Sequence, residues 1–284
     1  MSLLSSKQSE NVIVVGAGLM GAGIAQVVVQ SGLNVLLVDQ TQNELEKAQQ
    51  QIEKSLIKQK VSDADRASMF ARLHFSTSME DGKHCNLAIE AVPEKIEIKK
   101  DIFRKLDKIL PKNAVLASNT SSLSIASIGS VTTRPEKVVG MHFFSPVPIM
   151  KLIEIVTSIN TSDETVKYIR EIGKRINKEV ILAKDYPGFT VNRVLVPMLN
   201  EAAFLVMEGN DPEEIDRGMM LGANHPVGPL RLTDYVGIDV LLFTLESLYE
   251  GFQDSKYRPC PLLKRMVEAG QLGKKTGKGF YNYN

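Results

Sequence analysis

Residues 11–39 read NVIVVGAGLMGAGIAQVVVQSGLNVLLVD. The opening NVIVV is a β-branched run, the mark of a strand buried on both faces of a parallel sheet. GAGLMG follows at once, with glycines at 16, 18 and 21. AGIAQVVVQSG then predicts a helix ending near Gly32, and LNVLLVD a second buried strand closing on Asp39. Strand, glycine turn, helix, strand and acid together form a dinucleotide-binding unit. Gly16 permits the tight turn, Gly18 lets a pyrophosphate approach the backbone, and Gly21 lets helix and strand pack closely. The turn, with Ala17, Leu19 and Met20 between the glycines, opens a helix whose unpaired N–H groups suit phosphates. Asp39 stands where a carboxylate accepts hydrogen bonds from the adenosine ribose hydroxyls. A 2′-phosphate would meet like charge there, and Gln40 supplies no arginine, so NAD is expected over NADP. FAD shares the fingerprint.

Outward from this unit the α/β pattern continues. CNLAIEAV (85–92) and AVLASNT (114–120) read as further buried strands, with a helix over 93–110 between them. In an open α/β sheet, ligands lie beyond the carboxyl ends of the strands. Glu94 and the Asn119–Ser122 cluster fall at such ends, although small hydroxyls there also cap helices, a task that suits Ser124. Residues 43–60 form a polar helix with Leu45, Ala48, Ile52 and Leu56 as its apolar seam. Its basic end, Lys54, Lys58 and Lys60, is either a solvated face or an anion site for a phosphate-rich substrate.

Near 185–188 (DYPG) the pattern changes and the remaining segments read as helices. Residues 190–209 are apolar on most faces, with Pro197 as a kink. Asp211, Pro212 and Glu214 give a good helix start. Residues 231–251 read as one long apolar helix and 262–270 as a shorter one. The fold class expected is α/β: a Rossmann-type, doubly wound, mostly parallel sheet over residues 1–186, followed by an all-α domain over 187–284. Three or four helices this apolar need more cover than they give one another, so a partner subunit is expected.

GMHFFSPVPIMKLIEIV (140–156) carries the chemistry. VVGMHFF and MKLIEIV read as strands joined by a turn holding Pro146 and Pro148. In a hairpin centred near Pro148, His142 and Glu154 become cross-strand partners on one face. By alternation Glu154 shares a face with Leu152 and Val156. A carboxylate between two aliphatic neighbours is costly to bury unless paired, and the histidine opposite solves that. The pair also fixes the imidazole tautomer and aims its other nitrogen outward, which makes a general base worth about 10²–10⁴ in rate. A satisfied core histidine is the plainer alternative.

Composition excludes several classes. With 34 basic and 33 acidic residues the net charge is +1, which gives no electrostatic reason for nucleic-acid or membrane binding. No apolar run approaches the roughly 18 residues of a membrane helix. Cys85 and Cys260 suit reduced thiols, and the four histidines lack metal-ligand spacing, so no metal is expected. The start shows no presequence, which fits a cytoplasmic protein or a processed one of the mitochondrial matrix.

GAGLMGAGIAQ, SNTSSL, HFFSPVPIMKLIEI, DYPGFTVNRVLVPMLNEA, GANHPVGPLRLTDYVGID and GKKTGKGFY span nearly the whole chain. In these motifs it resembles the short-chain L-3-hydroxyacyl-CoA dehydrogenases, 3-hydroxybutyryl-CoA dehydrogenases included. The resemblance implies two domains, a homodimer joined through the helical domain, and NAD-linked interconversion of a 3-hydroxyacyl-CoA and its 3-keto form, as in fatty-acid β-oxidation or butyrate metabolism. It implies His142 as general acid/base, Glu154 as its orienting partner, and Ser121 and Asn192 as holders of the substrate oxygen. It places the cofactor on Gly16 to Gly21, Asp39, Glu94, Lys99, Ser121 and Lys275. Ser145 stands on the cofactor side, where the family frequently has asparagine. CoA contacts are implied for Ser55 and Ser121, with Lys58 or Lys60 as the basic partner. Lens λ-crystallins resemble the same family and offer a non-catalytic alternative. Dehydrogenases of free hydroxy acids, with a catalytic lysine and no CoA site, offer another.

Overall fold

The computed structural model describes residues 10–283. The chain divides into two compact units, the first ending at Asp185 and the second starting at Tyr186. The first unit begins with β1 (Asn11–Val15), α1 (Leu19–Gln30) and β2 (Asn34–Val38). Next come α2 (Gln42–Lys58), α3 (Asp63–Phe70) and β3 (Leu73–Ser76). β4 (Leu87–Glu90), α4 (Ile96–Ile109), β5 (Val115–Ser118), α5 (Ile125–Gly129) and β6 (Val138–Phe143) follow. β7 (Leu152–Thr157), α6 (Asp163–Arg175) and β8 (Glu179–Lys184) complete it.

All eight strands join one sheet in the order β3-β2-β1-β4-β5-β6-β7-β8. Every pairing is parallel except β6 with β7. β1 lies between β2 and β4, and the chain winds away from it in both directions. A doubly wound sheet opens a crevice beyond the strand ends at such a reversal. The apolar runs explain the central position: Val12, Ile13 and Val14 are fully buried, as a strand covered on both faces requires. α1 is buried from Gly21 to Val29, which suits its almost uniformly apolar sequence. α2 buries Leu45, Ala48, Ile52 and Leu56 and leaves its charges outside.

Three elements carry weak sequence signals. β3 buries only Leu73, β8 buries only Ala183, and α3 has no buried residue, so none shows the pattern of a core element. α6 is amphipathic and buries Tyr168, Ile169 and Ile172 against the sheet.

The second unit contains α7 (Val191–Met207), α8 (Pro212–Gly222), α9 (Pro229–Val236), α10 (Ile238–Phe252) and α11 (Pro261–Glu268). Its core gathers Val196, Leu199, Leu241, Leu245 and Leu263. Asp211 caps α8 by accepting the N–H groups of Glu213 and Glu214. The segment expected as one helix over 231–251 is two, broken at Gly237, whose φ of +103° lies outside the helical region. Asp234, buried at the end of α9, accepts the N–H groups of Phe280 and Tyr281 and the Tyr283 hydroxyl. No helix among the described residues is long and apolar enough to cross a membrane.

Candidate active site

The glycine turn closes the crevice floor. Gly16 has φ +104°, and a Cβ there would come within 2.6 Å of the Ala91 carbonyl oxygen at the end of β4. A Cβ on Gly21 would lie 1.7 Å from the Gly16 carbonyl oxygen, so the first turn of α1 sits directly on β1. Gly18, the N-cap of α1, has no side-chain cap, and a Cβ on it would meet nothing within 4 Å. The helix N-terminus therefore meets open space, as a pyrophosphate needs. The Asp39 carboxylate accepts from Ala17 N–H at 2.6 Å and Gln40 N–H at 2.7 Å, fastening the end of β2 to the turn. A carboxylate offers about four acceptor positions, so capacity for ribose hydroxyls remains. Leu19 is exposed and Met20 half-buried beside it. These residues fit a dinucleotide.

At the ends of β4 and β5 the expected residues Glu94 and Asn119–Ser122 join a buried charge network. Glu90 and Lys99 are both fully buried and 2.7 Å apart. Glu90 also accepts from the Ser118 hydroxyl at 2.6 Å and Val92 N–H at 2.7 Å. The Lys99 ammonium reaches Glu94 at 3.2 Å. Glu94 in turn accepts from the Thr120 hydroxyl at 2.5 Å, from Ser121 N–H at 2.9 Å and from the Ser121 hydroxyl at 3.3 Å. Lys99, expected beside the cofactor, is fully buried and bridges Glu90 and Glu94. Glu90 was missed because one acid inside an apolar strand run carries no local mark of its partner. Only the tertiary structure brings Lys99 to it.

His142 and Glu154 lie opposite one another in the β6–β7 register. Nδ1 and Oε2 are 2.7 Å apart, Glu154 is fully buried and His142 is buried at 6%. The Phe144 ring stands 4.5 Å from the imidazole. Beside them, Asn119 accepts the Phe143 N–H at 2.9 Å, tying the start of the 119–122 loop to the histidine strand. Ser124 is the N-cap of α5, accepting the Ser127 N–H at 3.2 Å, and the Asp185 carboxylate adds to the cap through the Ile125 and Ala126 N–H groups at 2.8 Å and the Ser124 hydroxyl at 3.0 Å. Ser121 and Ser122 are thus not needed as caps of that helix.

Ser145 is exposed in the turn after His142. Ser55 is half-buried on α2 and accepts from the Gln59 side chain at 3.2 Å. Lys58 ends α2 and Lys60 follows at φ +59°, both exposed. In the second unit Asn192 is half-buried in the first turn of α7, and Lys275 meets both Asp239 oxygens at 2.6 and 2.7 Å. Cys85 and Cys260 are free and buried, and burial pushes the Cys85 thiol up to about 11. Among the described residues no cluster of His, Cys, Asp or Glu is arranged to hold a metal.

Two family models cover this architecture. Residues 11–186 match the NAD binding domain of 3-hydroxyacyl-CoA dehydrogenase, and residues 188–283 match its C-terminal domain. The chain belongs to the 3-hydroxyacyl-CoA dehydrogenase family. It is therefore an NAD-dependent oxidoreductase with a Rossmann-type domain followed by a helical one. It is 47% identical over 275 residues to a "probable 3-hydroxybutyryl-CoA dehydrogenase" of Deinococcus radiodurans, covering 95% of this chain and 99% of that one. A 3-hydroxybutyryl-CoA dehydrogenase of Clostridioides difficile is 46% identical over 276 residues, covering 95% and 98%. The crystal structure of (S)-3-hydroxybutyryl-CoA dehydrogenase from Ralstonia eutropha superposes with a TM-score of 0.93 at 45% identity, covering 98% of this chain and all (100%) of that one.

Proposed function

We propose that this enzyme interconverts a short-chain 3-hydroxyacyl-CoA and the matching 3-ketoacyl-CoA, with His142 as general acid/base. The observation that carries the reading is the buried contact of 2.7 Å between His142 Nδ1 and Glu154 Oε2 at the end of β6. With Nδ1 committed to the carboxylate, Nε2 exchanges the proton of the substrate 3-hydroxyl. Glu154 holds the ring in one orientation and stabilises the imidazolium that forms. NAD, when bound, supplies the hydride acceptor. Ser121, presented by its backbone bond to Glu94, steadies the substrate oxygen as its charge changes. The family resemblance gives Asn192 the same task. It also gives Ser145 and Lys275 to the cofactor, and Ser55 with Lys58 or Lys60 to CoA. The apolar residues Val194 and Leu221, 73% and 76% exposed, support association of two copies through the second unit.

Following NADH consumption with acetoacetyl-CoA and with free acetoacetate tests the reading. Turnover is expected with the CoA ester and with NADH in preference to NADPH. Equal use of the free acid would replace the substrate class, and no turnover with either would favour the non-catalytic alternative.

A further inference from the structure

The turn between β6 and β7 is held by a residue outside the hairpin. Lys178 follows α6 and immediately precedes β8, and only 8% of it is exposed. Its ammonium donates to the Val147 and Met150 carbonyl oxygens, each at 2.6 Å. It forms no salt bridge among the described residues, and burial lowers its pKa. A buried ammonium without a counter-ion is a poor way to stabilise a core, where an apolar side chain does better. Its two bonds instead close the two ends of one short loop.

That loop touches both halves of the site. It starts five residues after His142, and its Val147 side chain is 2% exposed and packed against α1. The fit there is close: a Cβ on Gly23 would lie 2.9 Å from Val147 Cβ and 3.6 Å from Pro148 Cδ. The glycine at 23 therefore leaves the seat into which the loop docks. α1 begins at the dinucleotide turn, and the hairpin carries His142, so the loop sets the distance between them.

We propose that Lys178 is a positioning residue of the reaction, clamping the 147–150 turn so that the His142 hairpin is seated on the cofactor helix. The proposal rests on the reading of His142 as the acid/base. Misplacing a reacting group by about 1 Å is enough to lose on the order of 10²-fold in rate.

The test compares Lys178→Met, Lys178→Arg and His142→Gln with the wild-type enzyme. Turnover of acetoacetyl-CoA, NADH affinity by fluorescence and thermal unfolding are measured for each. Lys178→Met is expected to lower kcat about 10–100-fold with KM and the NADH Kd within about twofold of wild type. Lys178→Arg, which keeps charged donors, is expected to recover part of that loss. Wild-type kcat in a folded Lys178→Met variant overturns the proposal. So does a loss shared by kcat, KM and cofactor affinity, which marks a merely structural role. If Lys178→Met does not fold, Val147→Ala decides: it keeps the carbonyl but loosens the seat on Gly23. A fall in kcat alone supports the proposal, and unchanged kcat overturns it. An active His142→Gln variant would instead remove the reading on which the proposal rests, whatever Lys178 does.

Discussion

Glu90 and Glu154 are both fully buried carboxylates with a nitrogen 2.7 Å away, yet the two arrangements do different things. Glu90 faces a buried lysine and is further held by Ser118 and the Val92 N–H. A carboxylate held by these three donors is a fixed frame for the strand ends at the crevice. Glu154 faces an imidazole, the one side chain whose ordinary titration lies near pH 7. The same desolvation problem is solved twice. A permanent cation yields scaffold, and a titratable ring yields a group able to move a proton.

Substitution should separate the two by readout. The largest effect is expected from His142→Gln, with kcat lower by about 10²–10⁴-fold while NADH binding stays close to wild type. Fluorescence titration alongside steady-state turnover measures both. Lys99→Met should act on the other axis. Removing one partner from a buried pair leaves an uncompensated charge and costs about 3–5 kcal/mol of stability, read by urea unfolding. A stable Lys99→Met enzyme would show that Glu90 needs no cation.

Glu154→Gln sharpens it. The amide keeps the shape but not the charge, and it no longer stabilises a protonated ring. A fall in kcat of about 10²-fold is expected, smaller than the loss of the ring itself. If Glu154→Gln turned over at the wild-type rate, the carboxylate would serve only to satisfy a buried histidine.

The two sites also differ in how far the sequence discloses them. The His142–Glu154 register can be read because the two residues lie at equal distances from a turn centred near Pro148, so their pairing follows from counting. The glycine turn is equally legible: Gly16, Gly18 and Gly21 answer steric demands that only glycine meets. Glu90 with Lys99 is not legible, since the pairing depends on α4 packing its Lys99 face onto the sheet, and nothing local marks a lysine as buried. Lys178 is hidden for the same reason. The β3 and β8 strands escape because strands near a sheet edge bury few residues, and the break at Gly237 escapes because the apolar pattern runs on through it.

A third carboxylate tests whether a fixed partner always means scaffold. Asp107, on α4, accepts from the Arg134 guanidinium at 2.8 Å, Thr133 N–H at 2.9 Å and the Thr133 hydroxyl at 3.2 Å. Burial by itself raises its pKa. The Thr133 N–H, the Arg134 guanidinium and the Thr133 hydroxyl outweigh that and hold the carboxyl below its ordinary value. A carboxyl lowered on folding contributes stability that is present above the unfolded value, about 3.9, and is lost as pH falls through the folded one. Asp107→Asn should therefore cost about 1–3 kcal/mol at pH 7, by leaving the buried Arg134 short of an acceptor. The gap between variant and wild type should narrow as pH falls below about 4, where the unfolded chain takes up the proton first, and close as the folded carboxyl follows. Urea midpoints at pH 7 and pH 3 measure this, and a gap that stays constant would show that geometry, not charge, makes Asp107 useful. Turnover should change little, since this pair joins α4 to the segment before β6 and its frame stands apart from the proton-moving ring.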